Sequence, residues 1–498
     1  MASLLMGVDL GTSSTKTVVI DPGGRLLSCA AQEYRVDTPQ PGWAEQDPHV
    51  WWGAAQDTMR QALAEAAASP ADIAAIGLSG QMHGAVCLDA TGRPVRPAII
   101  WADQRSSAQV ARVYHTLGAE RLGLWTANPL AVGFMLSSLL WLRELEPETY
   151  RQTAHVLLPK DDLRYRMTGQ LGTEPSDASS TSLFDTVRRR WCDPLLEALG
   201  IDANLLPPVH ESAEITGELA SDFAAAAGLH EGTPVVCGGS DQAMQALGNG
   251  IVEPGVLSCG IGTGGQLFAP VAAPVYDAQL RLHLFCHAMP QSWHLEAGVL
   301  SAGLALKWLR DNVLEGHTYQ ELADLAETTP PGAEGLFFAP YLAGERTPHM
   351  DPKARAGFFG LTLRHTRAHL ARSVMEGVVF ALRQGLDLML DLGVPVERVV
   401  ASGGGARHPL WLRLQADIFD RPIYRTRTAE SAAFGAALLA GVGVGVYPDA
   451  PTSCRNTVRW RDEICRPNPD NVARYREAYE TYRALYPALR GLGFGTWH

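Results

Sequence analysis

The sequence predicts an α/β protein with at least two domains, and three observations support this prediction. The chain has 498 residues, more than one hydrophobic core usually organises. Short apolar runs typical of buried strands alternate with longer segments whose apolar residues recur at helical spacing. A pattern of strand, glycine-rich turn and strand opens the chain and returns near residue 255.

The first elements are a β-meander followed by a helix. Three apolar runs, "LLMGVDL", "TVVID" and "LLSCA", are separated by "GTSSTK" and "PGGR", which contain the glycines that tight turns favour. The segment "DPHVWWGAAQDTMRQALAEAAA" then begins with Asp-Pro and carries apolar residues at helical spacing, which predicts a helix. Two further strand candidates, "IAAIGLSG" and "AVCLD", lie on either side of "QMHG".

The middle of the chain, about residues 110–230, is expected to be mostly helical. It includes the polar segment "TEPSDASSTS". We interpret this region as an insertion, and we expect it to supply a lid or a specificity wall.

The second half repeats the opening pattern in "GVLSCGIGTGGQLFAPV". The strand candidate "RVVASGGGA", the helix "PLWLRLQADIFD", the strand "RPIYR" and the small-residue helix "SAAFGAALLAGVG" follow in that order. Each half therefore combines a Gly-Thr hairpin with alternating strands and helices. Coincidence is the alternative, because turn glycines are common. After about residue 450 the chain becomes polar and ends in the predicted helix "NVARYREAYETYRALYPAL".

Composition argues against several classes of partner. The net charge of −12 opposes binding to nucleic acid or to an anionic membrane. No apolar run is long enough to span a bilayer, and "MASLLMGVDLGTSSTK" lacks the basic region of a secretory signal. The eight cysteines show no C-x-x-C spacing and most lie in apolar contexts, which is typical of reduced core residues and opposes a structural zinc site. These observations favour a cytoplasmic protein.

The two Gly-Thr turns are candidate phosphate sites. "DLGTSSTK" and "GIGTGG" offer backbone amides and hydroxyls to phosphate oxygens, and together they suggest a phosphate chain held between two domains. Asp9, at the end of the first strand, can hold Mg²⁺ through water. Glycines in "SGGG" allow a nucleotide to approach the backbone closely. No P-loop motif is present.

A second group of candidates lies beside an acid at the mouth of a sheet. In "VVCGGSDQAMQALGNG", Asp241 follows a strand and two glycines and precedes a helix. It is either a helix N-cap or a carboxylate with a chemical role. Met82 and His83 lie in a turn between two strand candidates at the same sheet end. The alternative to a functional role is a structural one for each residue: Met82 fills the core, and His83 is a turn histidine whose hydrogen bonds are satisfied within the protein.

A series of motifs, taken in order along the chain, resembles the FGGY family of carbohydrate kinases. They are "GVDLGTSSTK", "GWAEQDP", "GQMHGAV", "LLPKDDLR", "GGSDQA", "GIGTGG", "GERTPHMDPKARAGFFGL", "SGGGARHPLW" and "ESAAFGAALLA", and they span nearly the whole length. "QMHG" and "LLPKD" resemble the bacterial xylulokinases within that family. The chain departs from them at "GGSDQA", where Asn often replaces Gln, and at "GTGG", where Gly-Thr-Ser-Gly is common.

The resemblance implies two actin-like (ribonuclease-H-like) ATPase domains, with the sugar and MgATP in the cleft between them. We expect an N-terminal, sugar-binding domain over 1–248 that contains the helical insertion, a nucleotide-binding domain over 249–445, and a helical tail over 446–498 that packs on the body. The resemblance assigns Asp241 as general base, Met82 and His83 as sugar-site residues, and Asp9 as an essential acid linked to Mg²⁺. The nucleotide-binding residues that we expect are Thr12, Ser13, Thr263, Gly303, Gly404 and His408.

The activity implied is ATP-dependent phosphorylation of D-xylulose to D-xylulose 5-phosphate, in xylose metabolism. Whether the protein assembles as a homodimer is left open. One alternative is a kinase for another ketose or polyol, of the ribulose, gluconate or glycerol type. Another is an actin-like ATPase without a sugar substrate. A two-lobed sugar-binding protein is a third alternative, opposed by the absence of a signal peptide.

Overall fold

Each half of the chain contains one large mixed β-sheet. The structure is a computed structural model that describes residues 3–428 and 430–490. The strands of the N-terminal half are β1 (Leu4–Leu10), β2 (Ser14–Ile20), β3 (Leu26–Glu33), β4 (Glu45–Gln46), β5 (Ile73–Gly80), β6 (Val86–Leu88), β7 (Ala98–Ile99), β8 (His155–Leu157), β9 (Phe184–Asp185), β10 (Arg190–Trp191), β11 (Ile215–Glu218), β12 (Pro234–Val236) and β13 (Gly239–Ser240). Its helices are α1 (Pro48–Glu65), α2 (Ser107–Thr126), α3 (Met135–Leu145), α4 (Pro147–Gln152), α5 (Pro159–Thr168), α6 (Pro175–Ala178), α7 (Asp193–Leu199), α8 (Ser221–Ala227) and α9 (Asp241–Gly248).

The C-terminal half contains the second sheet and the longest helices. Its strands are β14 (Gly255–Ile261), β15 (Gly265–Val271), β16 (His283–Cys286), β17 (Trp293–Val299), β18 (Phe337–Ala339), β19 (Gly357–Phe359), β20 (Val396–Gly403) and β21 (Ile423–Arg425). Its helices are α10 (Gly303–Asn312), α11 (Tyr319–Glu327), α12 (Arg367–Asp391), α13 (Pro409–Phe419), α14 (Ser431–Gly443), α15 (Ala450–Thr457) and α16 (Pro469–Arg490). Short 3₁₀ turns lie at Pro70–Asp72, Ser179–Thr181, Ala203–Leu205, Ala333–Gly335 and Gly404–Ala406.

The two sheets share one topology. In the first sheet the order is β11-β12-β5-β1-β2-β3, where β1, β2 and β3 are antiparallel neighbours and β5 and β12 are added parallel to β1. In the second sheet the order is β16-β17-β15-β14-β20-β21, where β14, β15 and β17 are antiparallel neighbours and β20 and β21 are added parallel. The repeat seen in the sequence is therefore a repeat in structure, and the predicted α/β class is confirmed.

Helix α14, from the C-terminal half, packs closely on the first sheet and on α9. The close approach requires glycine, because a Cβ at Gly7 would lie 1.9 Å from the carbonyl oxygen of Ala433, and a Cβ at Gly435 would lie 1.9 Å from that of Met244. The small residues of "SAAFGAALLAGVG" therefore let this helix lie against the backbone of β1 and α9. Because α9 begins at Asp241, the packing also fixes the position of that acid.

We call the part of the protein built on the first sheet the first lobe and the part built on the second sheet the second lobe. The last helix, α16, packs on the second lobe. Its buried residues are three tyrosines on one face, Tyr475, Tyr479 and Tyr482. Their rings lie 5.1–5.9 Å from the ring of Phe380 on α12, and the Tyr475 hydroxyl donates to Glu376 at 2.6 Å. In the part of the chain described here, no helix combines the length and apolar character needed to cross a membrane.

The polar segment "TEPSDASSTS" of the expected insertion lies in the interior of the protein. Residues 173–182 are buried throughout, and they form α6 and the following 3₁₀ turn. The polar groups bond to one another and to both lobes: Glu174 accepts from the amides of Ser176 and Asp177, while the Ser179 hydroxyl accepts from the Cys286 amide at 3.0 Å. Internal hydrogen bonding lets a polar sequence occupy the interior.

Candidate functional site

Three neighbouring strand ends bring the candidate acids and the sugar-site turn together. Strand β5 lies between β1 and β13 and runs parallel to both, with Ser79 opposite Asp9 and Gly80 opposite Ser240. The residues that follow these strand ends therefore meet at one edge of the first sheet. This edge carries Asp9, the turn with Met82 and His83, and Asp241.

Asp241 is not a helix N-cap. The cap of α9 is Ser240, whose hydroxyl oxygen accepts from the amide of Ala243 at 3.4 Å, and Asp241 is the first helical residue. Its Oδ1 has no hydrogen-bond partner among the described residues. Burial, together with the negative charges of Asp9 and Glu296, raises the pKa of Asp241 to about 8. The raised pKa makes the ionised carboxylate a stronger proton acceptor than an exposed aspartate.

Asp9 lies within a network of charges that joins the two halves of the chain. Its carboxylate accepts a hydrogen bond from the Ser79 hydroxyl at 2.6 Å. Lys16, opposite Asp9 on β2, forms an ion pair of 2.6 Å with Glu430 at the start of α14. Burial raises the pKa of Asp9, while the Ser79 hydrogen bond and the Lys16 charge oppose that rise.

His83 lies in a constrained turn, and its Nε2 forms no hydrogen bond with any residue that the structure describes. Its φ of 73° is in the left-handed region, which a residue with a side chain seldom adopts without support. The Nδ1–H donates to the Ser180 carbonyl at 2.8 Å, and the ring stacks on Phe134 at 3.9 Å. Burial lowers the pKa of His83 to about 4, so the neutral ring presents Nε2 as an acceptor. Met82 packs against Phe134 and Phe285.

The first Gly-Thr turn is bonded to the wall of the same site. The Trp101 indole N–H donates to Thr12 Oγ1 at 2.8 Å, and Thr12 Oγ1 donates to Gln81 Oε1 at 3.3 Å. The side-chain amide of Gln46 donates to the Thr12 carbonyl at 2.8 Å. Thr12 and its neighbour Ser13 therefore lie on the first lobe beside Met82. Sequence reasoning had not identified Trp101 or Gln81.

Four of the six expected nucleotide-binding residues line one cavity of about 430 Å³ in the second lobe; they are Thr263, Gly303, Gly404 and His408. The cavity lies between the β14–β15 turn, the start of α10, helix α11 and the turn after β20. Gly303 must be glycine at this approach, because a Cβ there would lie 2.3 Å from the Gly262 carbonyl oxygen. His408 also caps α13, since its Nδ1 accepts from the Leu410 amide at 3.0 Å.

A buried cluster of charges supports the backbone behind Asp241. The Lys160 Nζ lies 2.5 Å from Asp161, 3.6 Å from Asp177 and 3.8 Å from Glu174, and all four side chains are fully buried. Burial raises the pKa of both Glu174 and Asp177, while the Lys160 charge opposes the rise. The four residues form a single buried unit with one cation and three carboxyl groups.

Two hydrogen bonds connect this cluster to the residue before Asp241. The Ser240 amide donates to Ser176 Oγ at 2.9 Å, and the Ser176 hydroxyl donates to Glu174 Oε1 at 2.8 Å. The cluster therefore holds the β13–α9 junction in place. Lysine and two aspartates in the apolar context "LLPKDDL" were the sequence signal for it, but the pattern alone does not tell which residues they contact.

Comparison with known proteins assigns the family. Residues 4–248 match the N-terminal domain of the FGGY family of carbohydrate kinases, and residues 257–444 match its C-terminal domain. The chain belongs to the FGGY family. The kinase is 37% identical to xylulose kinase of Escherichia coli strain K12, over 98% of this chain and 99% of that protein. It is 36% identical to xylulose kinase of Lactococcus lactis, over 97% and 96%.

A solved structure is similar over the whole kinase. Ligand-bound xylulose kinase from Lactobacillus acidophilus superposes with a TM-score of 0.94 at 26% sequence identity, covering 99% of this chain and 100% of that one. The two-domain, actin-like ATPase fold expected from the resemblance is confirmed. The shared topology of the two sheets is the structural basis of that assignment.

The carboxylates at the cleft fit a magnesium ion carried by a nucleotide. Among residues 3–428 and 430–490, no group of three or more His, Cys, Asp or Glu side chains is arranged to hold a metal ion. Mg²⁺ at phosphates usually needs only one or two carboxylates, with water and phosphate oxygens as its other ligands. Asp9 and Asp241 are close enough for the charge of one to raise the pKa of the other.

Proposed function

We propose that this FGGY kinase transfers the γ-phosphoryl group of ATP to D-xylulose and releases D-xylulose 5-phosphate and ADP. The observation that carries the proposal is the position of Asp241, at the same edge of the first sheet as the turn with His83, with a carboxylate oxygen that has no partner among the described residues. Full-length similarity to proteins named xylulose kinases supports D-xylulose as the sugar.

Asp241 is the proposed general base. Phosphoryl transfer needs positioning, charge neutralisation and a group that takes the proton of the attacking hydroxyl. Asp241 Oδ1 accepts that proton, and its pKa of about 8 suits proton transfer near neutral pH. The Ser176–Ser240 hydrogen bond keeps the base in place during the reaction.

The sugar lies against the first lobe in this proposal. The free Nε2 of neutral His83 accepts a hydrogen bond from a sugar hydroxyl, while Nδ1–H stays bonded to Ser180. Met82 and Phe134 provide an apolar surface for the carbon chain. Losing the histidine bond would leave buried polar groups unpaired, which is how such sites discriminate between substrates.

The nucleotide occupies the cavity of the second lobe. Thr263, Gly303, Gly404 and His408 line it, and the turn with Thr12 and Ser13 faces the phosphates from the first lobe. Mg²⁺ bound to the phosphates supplies charge neutralisation, and Asp9 is the residue proposed to hold it through water. We also propose a cytoplasmic location, supported by eight cysteines that are all free thiols.

A kinase for another ketose or polyol is the main competing proposal, and an ATPase without a sugar substrate is the second. A coupled assay of ADP release with D-xylulose, L-ribulose, gluconate and glycerol separates them. We expect D-xylulose to stimulate turnover most strongly. Equal stimulation by glycerol or L-ribulose, with none by D-xylulose, would contradict the assignment of the sugar. Turnover that no sugar changes would favour the ATPase.

Asp241→Asn tests the base. The amide keeps the shape of the carboxyl group but cannot accept the proton, so kcat should fall about 10²–10⁴-fold, while the affinities for D-xylulose and MgATP and the melting temperature stay close to the parent values. Asp193→Asn is the matched control, because Asp193 is also the first residue of a helix but is exposed and outside the site. Near-normal turnover of Asp241→Asn would exclude Asp241 as the base.

A further inference from the structure

Glu296 and Arg346 lie on the side of the second sheet that faces the cleft. The proposed mechanism assigns no role to either side chain. Residues along β17 alternate between the two faces of the sheet; Ala297 lies in the core of the second lobe, so Glu296 and Gly298 face the opposite side. A Cβ at Gly298 would lie 3.8 Å from Arg346 Cδ. The Arg346 side chain therefore covers Gly298, on the same face as Glu296.

This face meets the sugar-site residues of the first lobe. His283 on β16 lies directly opposite Glu296. The His283 ring is 5.6 Å from the Phe134 ring, and Phe134 stacks on His83 at 3.9 Å. A continuous row of rings therefore leads from the strand that pairs with Glu296 to the histidine of the first lobe.

The electrostatic effects agree with that geometry. After burial and the Ser180 hydrogen bond, the charges of Arg346 and Glu296 are the main influences on the pKa of His83. The Glu296 charge also helps to raise the pKa of Asp241. Glu296 and Arg346 thus lie across the cleft from His83 and Asp241.

Both side chains carry groups that form no hydrogen bond within residues 3–428 and 430–490. Glu296 is 7% exposed, and its Oε1 accepts from the Gln266 side-chain amide. Its buried Oε2 forms no hydrogen bond with any described residue; His294 Nε2 lies 3.8 Å away from it. The Arg346 guanidinium forms no ion pair within 4.0 Å in the described part of the chain. Glu345, next to it, accepts from the amides of Leu300 and Arg346. Buried polar groups are normally paired, so Glu296 Oε2 is left for a ligand. The Arg346 side chain is only partly buried, and its guanidinium is accessible to the same ligand.

We propose that Glu296 and Arg346 form the second-lobe wall of the acceptor-sugar pocket and determine which polyhydroxy substrates the kinase accepts. Glu296 Oε2 accepts a hydrogen bond from one substrate hydroxyl, and the Arg346 guanidinium donates to an oxygen further along the carbon chain. His83 Nε2 provides the opposing acceptor on the first lobe. The chemistry fits an open-chain compound with several adjacent hydroxyls, and it rests on the proposed function as a sugar kinase.

The test measures steady-state kinetics of Glu296→Gln and Arg346→Gln with D-xylulose and with analogues that each lack one hydroxyl. For both variants kcat/KM for D-xylulose should fall about 10–100-fold, mainly through KM, because a hydrogen bond to a charged group is lost. The KM for MgATP should change less than about twofold. Glu397→Gln, an exposed carboxylate on β20 of the same lobe, is the control and should behave as the parent enzyme.

The analogues identify the contact. The analogue that lacks the hydroxyl bound by Glu296 should be a poor substrate for the parent enzyme. Glu296→Gln should lower kcat/KM for that analogue little further, because the hydroxyl and the carboxylate act as one pair. An unchanged KM for D-xylulose in both variants, or an equal rise in the KM for MgATP, would overturn the proposal. If Glu296→Gln fails to fold, Arg346→Gln, in a loop, decides alone. A parent enzyme that no sugar stimulates would instead refute the sugar-kinase function itself.

Discussion

Replacing Lys160 by methionine should destabilise the first lobe strongly and slow the reaction. Methionine keeps most of the apolar volume of lysine but removes the one cation that faces Asp161, Asp177 and Glu174 at 2.5, 3.6 and 3.8 Å. None of these side chains is exposed to water. Buried carboxylates would then lie together without compensation, which is among the most unfavourable arrangements in a protein interior.

The size of the effect follows from the burial. Removing one partner of a buried ion pair costs about 3–5 kcal/mol, a large part of the roughly 5–15 kcal/mol that usually stabilises a domain. A lobe of this size should lose about 10 °C or more in melting temperature. The Ser176–Ser240 hydrogen bond carries any shift of the cluster to Asp241. Misplacing that base by about 1 Å can lower kcat about 100-fold.

The destabilisation should depend on pH in one direction. Burial already raises the folded-state pKa of Glu174 and Asp177 above the unfolded values, and removing the cation raises both further. The folded variant then takes up protons, as the pH falls, before the unfolded chain does. Its stability relative to the parent should therefore improve from pH 8 to pH 5.

Differential scanning calorimetry and kcat measurements on three variants test this reasoning. Lys160→Met should show the full loss. Lys160→Met/Asp161→Asn should recover only part of the stability, because it removes the carboxylate at the closest contact but leaves Glu174 and Asp177 without the cation. Lys353→Met, an exposed lysine in the second lobe, controls for the substitution itself. A melting temperature of Lys160→Met within about 2 °C of the parent would refute the reasoning.

Two further predictions concern buried histidines. His83→Ala should raise the KM for the sugar about tenfold or more while nucleotide affinity stays unchanged; an unfolded variant, or one that no longer binds ATP by calorimetry, would indicate a purely structural histidine. His287 is fully buried, and burial lowers its pKa in the folded protein to about 3. Its pKa in the unfolded chain is about 6.5. Protonation of His287 therefore favours the unfolded chain as the pH falls below about 6.5. His287→Gln should gain about 2 kcal/mol relative to the parent between pH 7 and pH 5 in urea unfolding, and equal slopes would contradict this.

Local patterns in the sequence determined the architecture and part of the site. The Gly-Thr hairpins at residues 11–13 and 262–264, each between two apolar runs, predicted the repeat that both sheets display. Hairpin and helix signals depend on a few neighbouring residues, so they can be recognised in a single sequence. The position of Asp241 after a strand also predicted that it lies at a sheet edge, next to the turn with His83.

Only the tertiary structure decided which groups meet. Ser240 rather than Asp241 caps α9, and the polar segment around Glu174 is buried in the interior. Ser176 reaches Ser240 across 64 residues of sequence, and Arg346 lies beside Glu296 only because its loop folds over Gly298. Burial and long-range pairing depend on how the two sheets pack, and neither turn chemistry nor periodicity along the chain encodes which distant side chains share an interior.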